Sequence, residues 1–337
     1  MNGYPQNFEY GRFPSSVYGI MRERERALLK RQSRRAGLCV AGFILLQNAA
    51  VLLLSLSPTL TSLYLDNAVF AQAVEILFLL LILSPFFLSY VRMDAWERTQ
   101  VDRFQKPVSK WGAVLAVGSG YFFCTVGNFV TGYLLSALEA MGFSIGGGEY
   151  ASPQTPAHFA LACITIGILP ALIEEFSLRG VVMQPLRSVG DAFAVGMTAF
   201  VFAMMHGNLT QIPFAFIVGI AIGYFVVATG SIWVGIAIHL LNNLSSVVLS
   251  YLLEVRPTAG ETFYHIETAV SIVAGIVCTA LFLTVCKRNR LQKSSSVLST
   301  GEKIRTYLCT APMIFSILLL VWQTAKLIRF TGYTNAG

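Results

Sequence analysis

At 337 residues the chain has length enough for two soluble domains, but 55% hydrophobic residues, only 12% charged and a mean hydropathy of +0.64 exclude an ordinary soluble enzyme. They point to one polytopic membrane domain. The net charge of +7 does not imply a nucleic-acid partner, because the basic residues cluster in short stretches between apolar runs, as in loops on one membrane face.

Residues 1–35 carry Arg12, Arg22, Arg24, Arg26, Lys30, Arg31, Arg34 and Arg35 against three glutamates, which is expected to hold this end in the cytoplasm. No cleavable signal peptide is expected, since the first apolar run starts only after this basic segment. Residues 21–35 are expected to form a helix lying on the membrane surface. Apolar runs then predict spans at about 36–56, 68–91, 111–138, 157–184, 191–206, 211–228, 232–253, 266–286 and 307–328, with a short tail at 329–337. The stretch 92–110 has five basic residues and Trp96, and 287–305 has six basic residues around Ser294 to Ser296, so both read as cytoplasmic. Between spans 3 and 4, residues 142–156 contain Gly142, Gly146, Gly147 and Gly148 and no lysine or arginine, which predicts a flexible outer loop. This nine-span order, eight if one run fails to cross, puts every strongly basic loop on one side. The expected fold class is all-α, with spans 4 to 7 as its core. The six cysteines lie in or beside apolar runs without a C-x-x-C pair and read as packing residues. No internal repeat is evident.

Ionisable residues inside spans are costly and mark function by default. Here they form three motifs: Glu174-Glu175 with Arg179, Phe202 with His206, and His239 with Asn243. Each puts its residues four apart, hence on one helix face, so Glu175 can pair with Arg179. At 1.5 Å rise per residue the motifs lie ~12–22 Å from the cytoplasmic ends of their helices, in one layer. Gly180, Gly219 and Gly223 would let helices approach closely. Taken alone, a glutamate pair beside an arginine is usually an interfacial ion pair, and a single histidine is usually a packed one. His158 and His265 are expected at the outer interface, and Glu75 either faces a cavity or pairs with a neighbouring span. Adjacent carboxylates, two histidines and an amide in one layer would suffice for general-base hydrolysis with oxyanion stabilisation.

The E-E-x-x-x-R-G of Glu174 to Gly180, the F-x-x-x-H of Phe202 to His206 and the H-x-x-x-N of His239 to Asn243 resemble the CPBP family of intramembrane proteases. That family includes CAAX prenyl endopeptidases of the Rce1 type and bacterial proteins of bacteriocin processing or self-immunity. The likeness covers about 155–250, and His206-Gly207-Asn208 with Pro213, Gly219 and Gly223 is similar to the bacterial members, which implies a bacterial cell membrane. The resemblance implies that Glu174 and His206 activate water, that His239 and Asn243 stabilise the oxyanion, and that Glu175 and Arg179 orient the site. It leaves open a divalent metal such as zinc, held by Glu174, His206 and His239, or a metal-free glutamate mechanism; the chain has no H-E-x-x-H. The implied partners are a membrane-associated peptide or protein and the lipid bilayer. A non-catalytic immunity or scaffold protein, and a proton- or ion-coupled transporter, are the competing readings.

Overall fold

The computed structural model describes residues 15–102, 106–147, 152–285, 291 and 296–332. Parts of the predicted organisation lie outside the described residues: Arg12, Arg103, Gly148, Cys286, most of the basic loop before Ser296, and residues 333–337.

The chain is an all-helical integral membrane protein. Its helices are α1 (Ser15–Ser55), α2 (Pro58–Asp66), α3 (Ala68–Val91), α4 (Ala95–Val101), α5 (Lys110–Ala140), α6 (Pro156–Val189), α7 (Asp191–Met205), α8 (Ile212–Thr229), α9 (Ile232–Val255), α10 (Pro257–Val285), α11 (Thr300–Leu308) and α12 (Ala311–Ala325). Seven are long and apolar enough to cross a membrane, and α11 with α12, bent by 77°, would make an eighth. Helix α7 is apolar but has only 15 residues, ~22 Å of rise against a hydrocarbon core of ~30 Å.

Local chemistry sets most of these ends. Ser57, Asn67, Ser109 and Thr155 cap their helices by accepting a backbone N–H, and Pro58 and Pro156 follow two of them in the first turn. The basic segment 21–35 is helical as expected, and it is continuous with the first span: α1 runs unbroken through both for 41 residues. The backbone of Pro312 and Met313 crosses it at Gly37, within 2.6 Å of where a Cβ would sit. And the outer loop is not wholly irregular, since Phe143–Ile145 (β1) pairs antiparallel with Ile328–Phe330 (β2), with Phe143 opposite Phe330 and their rings edge-on at 5.4 Å.

Side-to-side ties sort the connections onto two faces. On one, Glu25 accepts the backbone N–H of Val297 and Leu298, Val108 donates to the Thr229 carbonyl at 3.2 Å, and the Lys303 ammonium donates to the Val189 carbonyl at 2.8 Å. Fully buried Glu97 of α4 meets Arg31 at 2.7 Å, Arg35 at 2.5 Å and Gln32 at 2.8 Å, all from α1. On the other face lie the β1–β2 pair and Gln154 donating to Glu254. For β1 and β2 to meet, the chain between them must cross an even number of times. The nine-span order meets that condition when α7 counts as a crossing.

The core sits around α7 and α8. Gly219 and Gly223 of α8 face Ala199 and Val195 of α7 so closely that an added Cβ would lie 3.1 and 3.0 Å from them, as the G-x-x-x-G spacing predicts. Helix α9 packs on α6, α8 and α5, and α10 on α5. His158, expected at the outer interface, is enclosed by protein, its Nε2 3.2 Å from the Gln72 amide of α3, a polar partner that lets an imidazole be buried. His265 is exposed, as expected. Glu75 accepts a hydrogen bond from Tyr64 at 3.3 Å.

Candidate functional site

Helix α6 is not a uniform α-helix. Its segments Cys163–Ile168 and Phe176–Met183 are π-helical, and the two glutamates lie on the α-helical segment Leu169–Glu175 between them. Such widened turns occur frequently at functional sites. Adjacent residues on a helix point about 100° apart, and here that separates two environments. Glu175 is fully buried, whereas the Glu174 side chain keeps 24% of its exposure.

Glu175 is the hub. Its Oε1 accepts from Arg179 Nη1 at 2.8 Å, one turn along the same helix, and from His239 Nδ1 of α9 at 2.9 Å. Arg179, also fully buried, spends a second nitrogen on the Gly219 carbonyl of α8 at 3.3 Å and stacks its guanidinium 4.8 Å from the Phe202 ring of α7. One cation thereby ties α6, α7 and α8 together. Breaking a buried ion pair from one side is costly; His239 and Gly219 satisfy part of this pair's remaining valences, while Glu175 Oε2 and Arg179 Nε are buried without a hydrogen-bond partner among the described residues.

The two histidines present different edges. Helix α7 ends at His206, followed by Gly207 at φ +63°, the left-handed stop that glycine accepts without cost. His206 Nδ1 lies 2.8 Å from the Phe202 carbonyl, which can only accept, so Nδ1 carries the hydrogen and Nε2 is left as the acceptor. His206 is within electrostatic reach of Glu174, His239 and Arg179, and its ring stands edge-on to Phe202 at 4.8 Å. By the same reasoning His239 Nδ1 donates to Glu175, and its Nε2 looks toward Glu174 Oε2 at 3.9 Å.

Asn243, one turn beyond His239, contacts neither glutamate. Its amide donates to the Ile166 carbonyl at 2.9 Å, within the first π-helical segment, and its oxygen accepts from Asn242 at 3.1 Å. The structure therefore joins Glu174, Glu175, Arg179, His206 and His239 around Phe202, and holds Asn243 beside them on the face of α6. As arranged, the proposed metal set does not converge: among the described residues no three of His, Cys, Asp and Glu are placed to share an ion. One nitrogen of each histidine is already committed to a protein partner.

One contributor escaped the sequence reading. Gly235 of α9 faces Glu175, and a Cβ there would lie 3.0 Å from Oε2, 2.7 Å from Val226 and 3.0 Å from Ile222. Only a missing side chain leaves room for that carboxylate, but a glycine in an apolar run carries no such signal.

Residues 156–245 match a family described as type II CAAX prenyl endopeptidase Rce1-like. The match takes in α6 to α8 and α9 through Asn243, every residue of the constellation. No curated protein and no solved structure matches the chain.

Proposed function

We propose, for a chain whose residues 156–245 match the Rce1-like endopeptidase family, that the Glu174 centre hydrolyses peptide bonds of membrane-associated peptides or proteins. The processing would be of the CAAX type or like that of bacteriocins and signal peptides. The observation that carries the reading is the division of labour between neighbouring glutamates. Glu175 is locked to Arg179 and His239 while Glu174 stays partly exposed beside two imidazoles.

In this reading Glu174 takes a proton from water, helped by His206, whose Nε2 is free to accept. The hydroxide attacks the scissile carbonyl, and the proton passes to the leaving amine, so no covalent intermediate forms. His239, held by Glu175, and the Asn243 amide donate hydrogen bonds to the developing oxyanion. Asn243 must then turn at least one N–H from its present partner toward substrate. Arg179 supplies the counter-charge that keeps Glu175 in place. The basic N-terminal segment and the face carrying Glu97 and Lys303 are cytoplasmic in a bacterial cell membrane.

The test is cleavage of membrane peptides by the purified protein, compared with Glu174→Gln, nearly isosteric but unable to take the proton. General-base loss should cost on the order of a hundred- to ten-thousandfold. Because the arranged donors do not form a three-ligand set, exhaustive chelation is expected to leave the rate unchanged; loss on chelation with recovery on adding zinc would reassign the mechanism. Full activity of a well-folded Glu174→Gln protein would remove Glu174 from the chemistry, and absence of cleavage by the unaltered protein would return the case to a scaffold or transporter.

A further inference from the structure

Beyond the constellation, a cavity of about 380 Å³ opens between α5, α9 and α10. None of Glu174, Glu175, Arg179, His206 or His239 lines it. Its wall is polar for a site among membrane helices, with Tyr121, Thr125, Asn128, Asn242, Ser245 and Glu267 among its residues. Helix α10 lies outside the matched segment 156–245.

Glu267 is the only charged side chain lining this cavity among the described residues. It accepts a hydrogen bond from the Tyr121 hydroxyl, and among the described residues no lysine, arginine or histidine pairs with it. Thr125 and Ser271 are bonded to each other at 2.5 Å. A carboxylate among apolar helices without a counter-charge is a functional site by default. The volume falls in the range of small-ligand pockets and is larger than one ion or water needs. At the rim stand three exposed aromatic rings, Phe129, Tyr133 and Tyr264. Aromatic rings lining the same cavity as a carboxylate suit a cation on an aliphatic stem, whose methylenes pack on the rings while its charge reaches the acid. The cavity also adjoins the centre: Asn242 lines it and donates to Asn243 at 3.1 Å.

We propose that this cavity is an exosite for a basic side chain, lysine or arginine, of the polypeptide presented to the Glu174 centre. The inference rests on the protease reading for the nature of its ligand and adds a selection rule: the substrate carries a cation that Glu267 receives.

The experiment measures binding, so it does not depend on hydrolysis. A fluorescent apolar peptide with one central lysine, and its norleucine counterpart, are titrated against the full chain in detergent micelles by thermophoresis. The lysine peptide should bind at least about tenfold more tightly, the low end for a desolvated charge pair. Glu267→Gln should reduce that preference to about one. Ser246→Trp, which fills the cavity from α9 without touching the carboxylate, should weaken the lysine peptide to the norleucine level. Equal binding of the two peptides to the unaltered protein would overturn the proposal, as would a lysine preference that survives both substitutions. Analysing the same mixtures for cleavage products scores the protease reading separately, so either idea can fail while the other stands.

Discussion

Arg179 offers the most exposed test of how the site is held together. Arg179→Met keeps much of the stem's volume and removes the charge, which leaves fully buried Glu175 with His239 as its one remaining partner at 2.9 Å. Breaking a buried pair from one side costs about 3–5 kcal/mol, and the guanidinium stacked on Phe202 adds ~1 kcal/mol. The surviving His239 bond argues for the low end of that sum, about 4 kcal/mol, which is roughly a thousandfold in the folded-to-unfolded ratio. The double variant Arg179→Met with Glu175→Gln should recover most of that loss, because the glutamine carbonyl still accepts from His239 and no charge is stranded. Reversible unfolding in mixed micelles, followed by helix content, reads both variants and closes the cycle. If Arg179→Met loses less than about 1 kcal/mol, or the second substitution restores nothing, the claim that Arg179 serves to compensate Glu175 is wrong.

Asn243→Ala should lower turnover by on the order of a hundredfold with little change in substrate affinity, as expected for a donor that acts on the oxyanion; steady-state kinetics separate the two. Gly235→Ala puts a methyl where 2.7 to 3.0 Å is available against Val226, Ile222 and Glu175, so it should cost about 1–3 kcal/mol in unfolding and reduce activity with it. Glu97→Ala strands Arg31 and Arg35, but both reach solvent, so the loss should be about 2 kcal/mol, below that of a fully enclosed pair; its signature is early protease cutting in α4 with cleavage activity retained after reconstitution.

How much of this was legible depended on whether a residue announces itself by chemistry or by shape. Glu174, Glu175, Arg179, His206, His239 and Asn243 stood out because charge and amide groups are rare in apolar runs, and a spacing of four put each set on one face. Span positions followed from hydropathy for the same reason, and α3 coincides with the predicted 68–91. Gly235 was invisible, since what matters there is the absence of atoms opposite a carboxylate from another helix. The cavity at Glu267 was equally hidden: Glu267 lies near the end of an apolar run, and its partner Tyr121 is 146 residues away in sequence. His158 misled because a histidine near a span's edge usually meets water, while here Gln72 encloses it. Strands β1 and β2 are three residues each and too short for a periodicity to register.

The π-helical turns of α6 carry a consequence for how this helix tolerates change in length. Each holds a phase offset: the residues after Met183 face where they do because Phe176–Met183 winds more slowly than an α-helix. Deleting one residue there, such as Val181, would let the segment rewind as ordinary α-helix with its ends still in phase, because the residue removed carries the same ~100° that the slower winding withheld. The glutamates would keep facing His239 while Arg187 keeps Asp191, its partner at 2.7 Å where α6 hands over to α7. A deletion in the ordinary α-helical stretch between the two π-helical segments has no such reserve and would turn one end against the other.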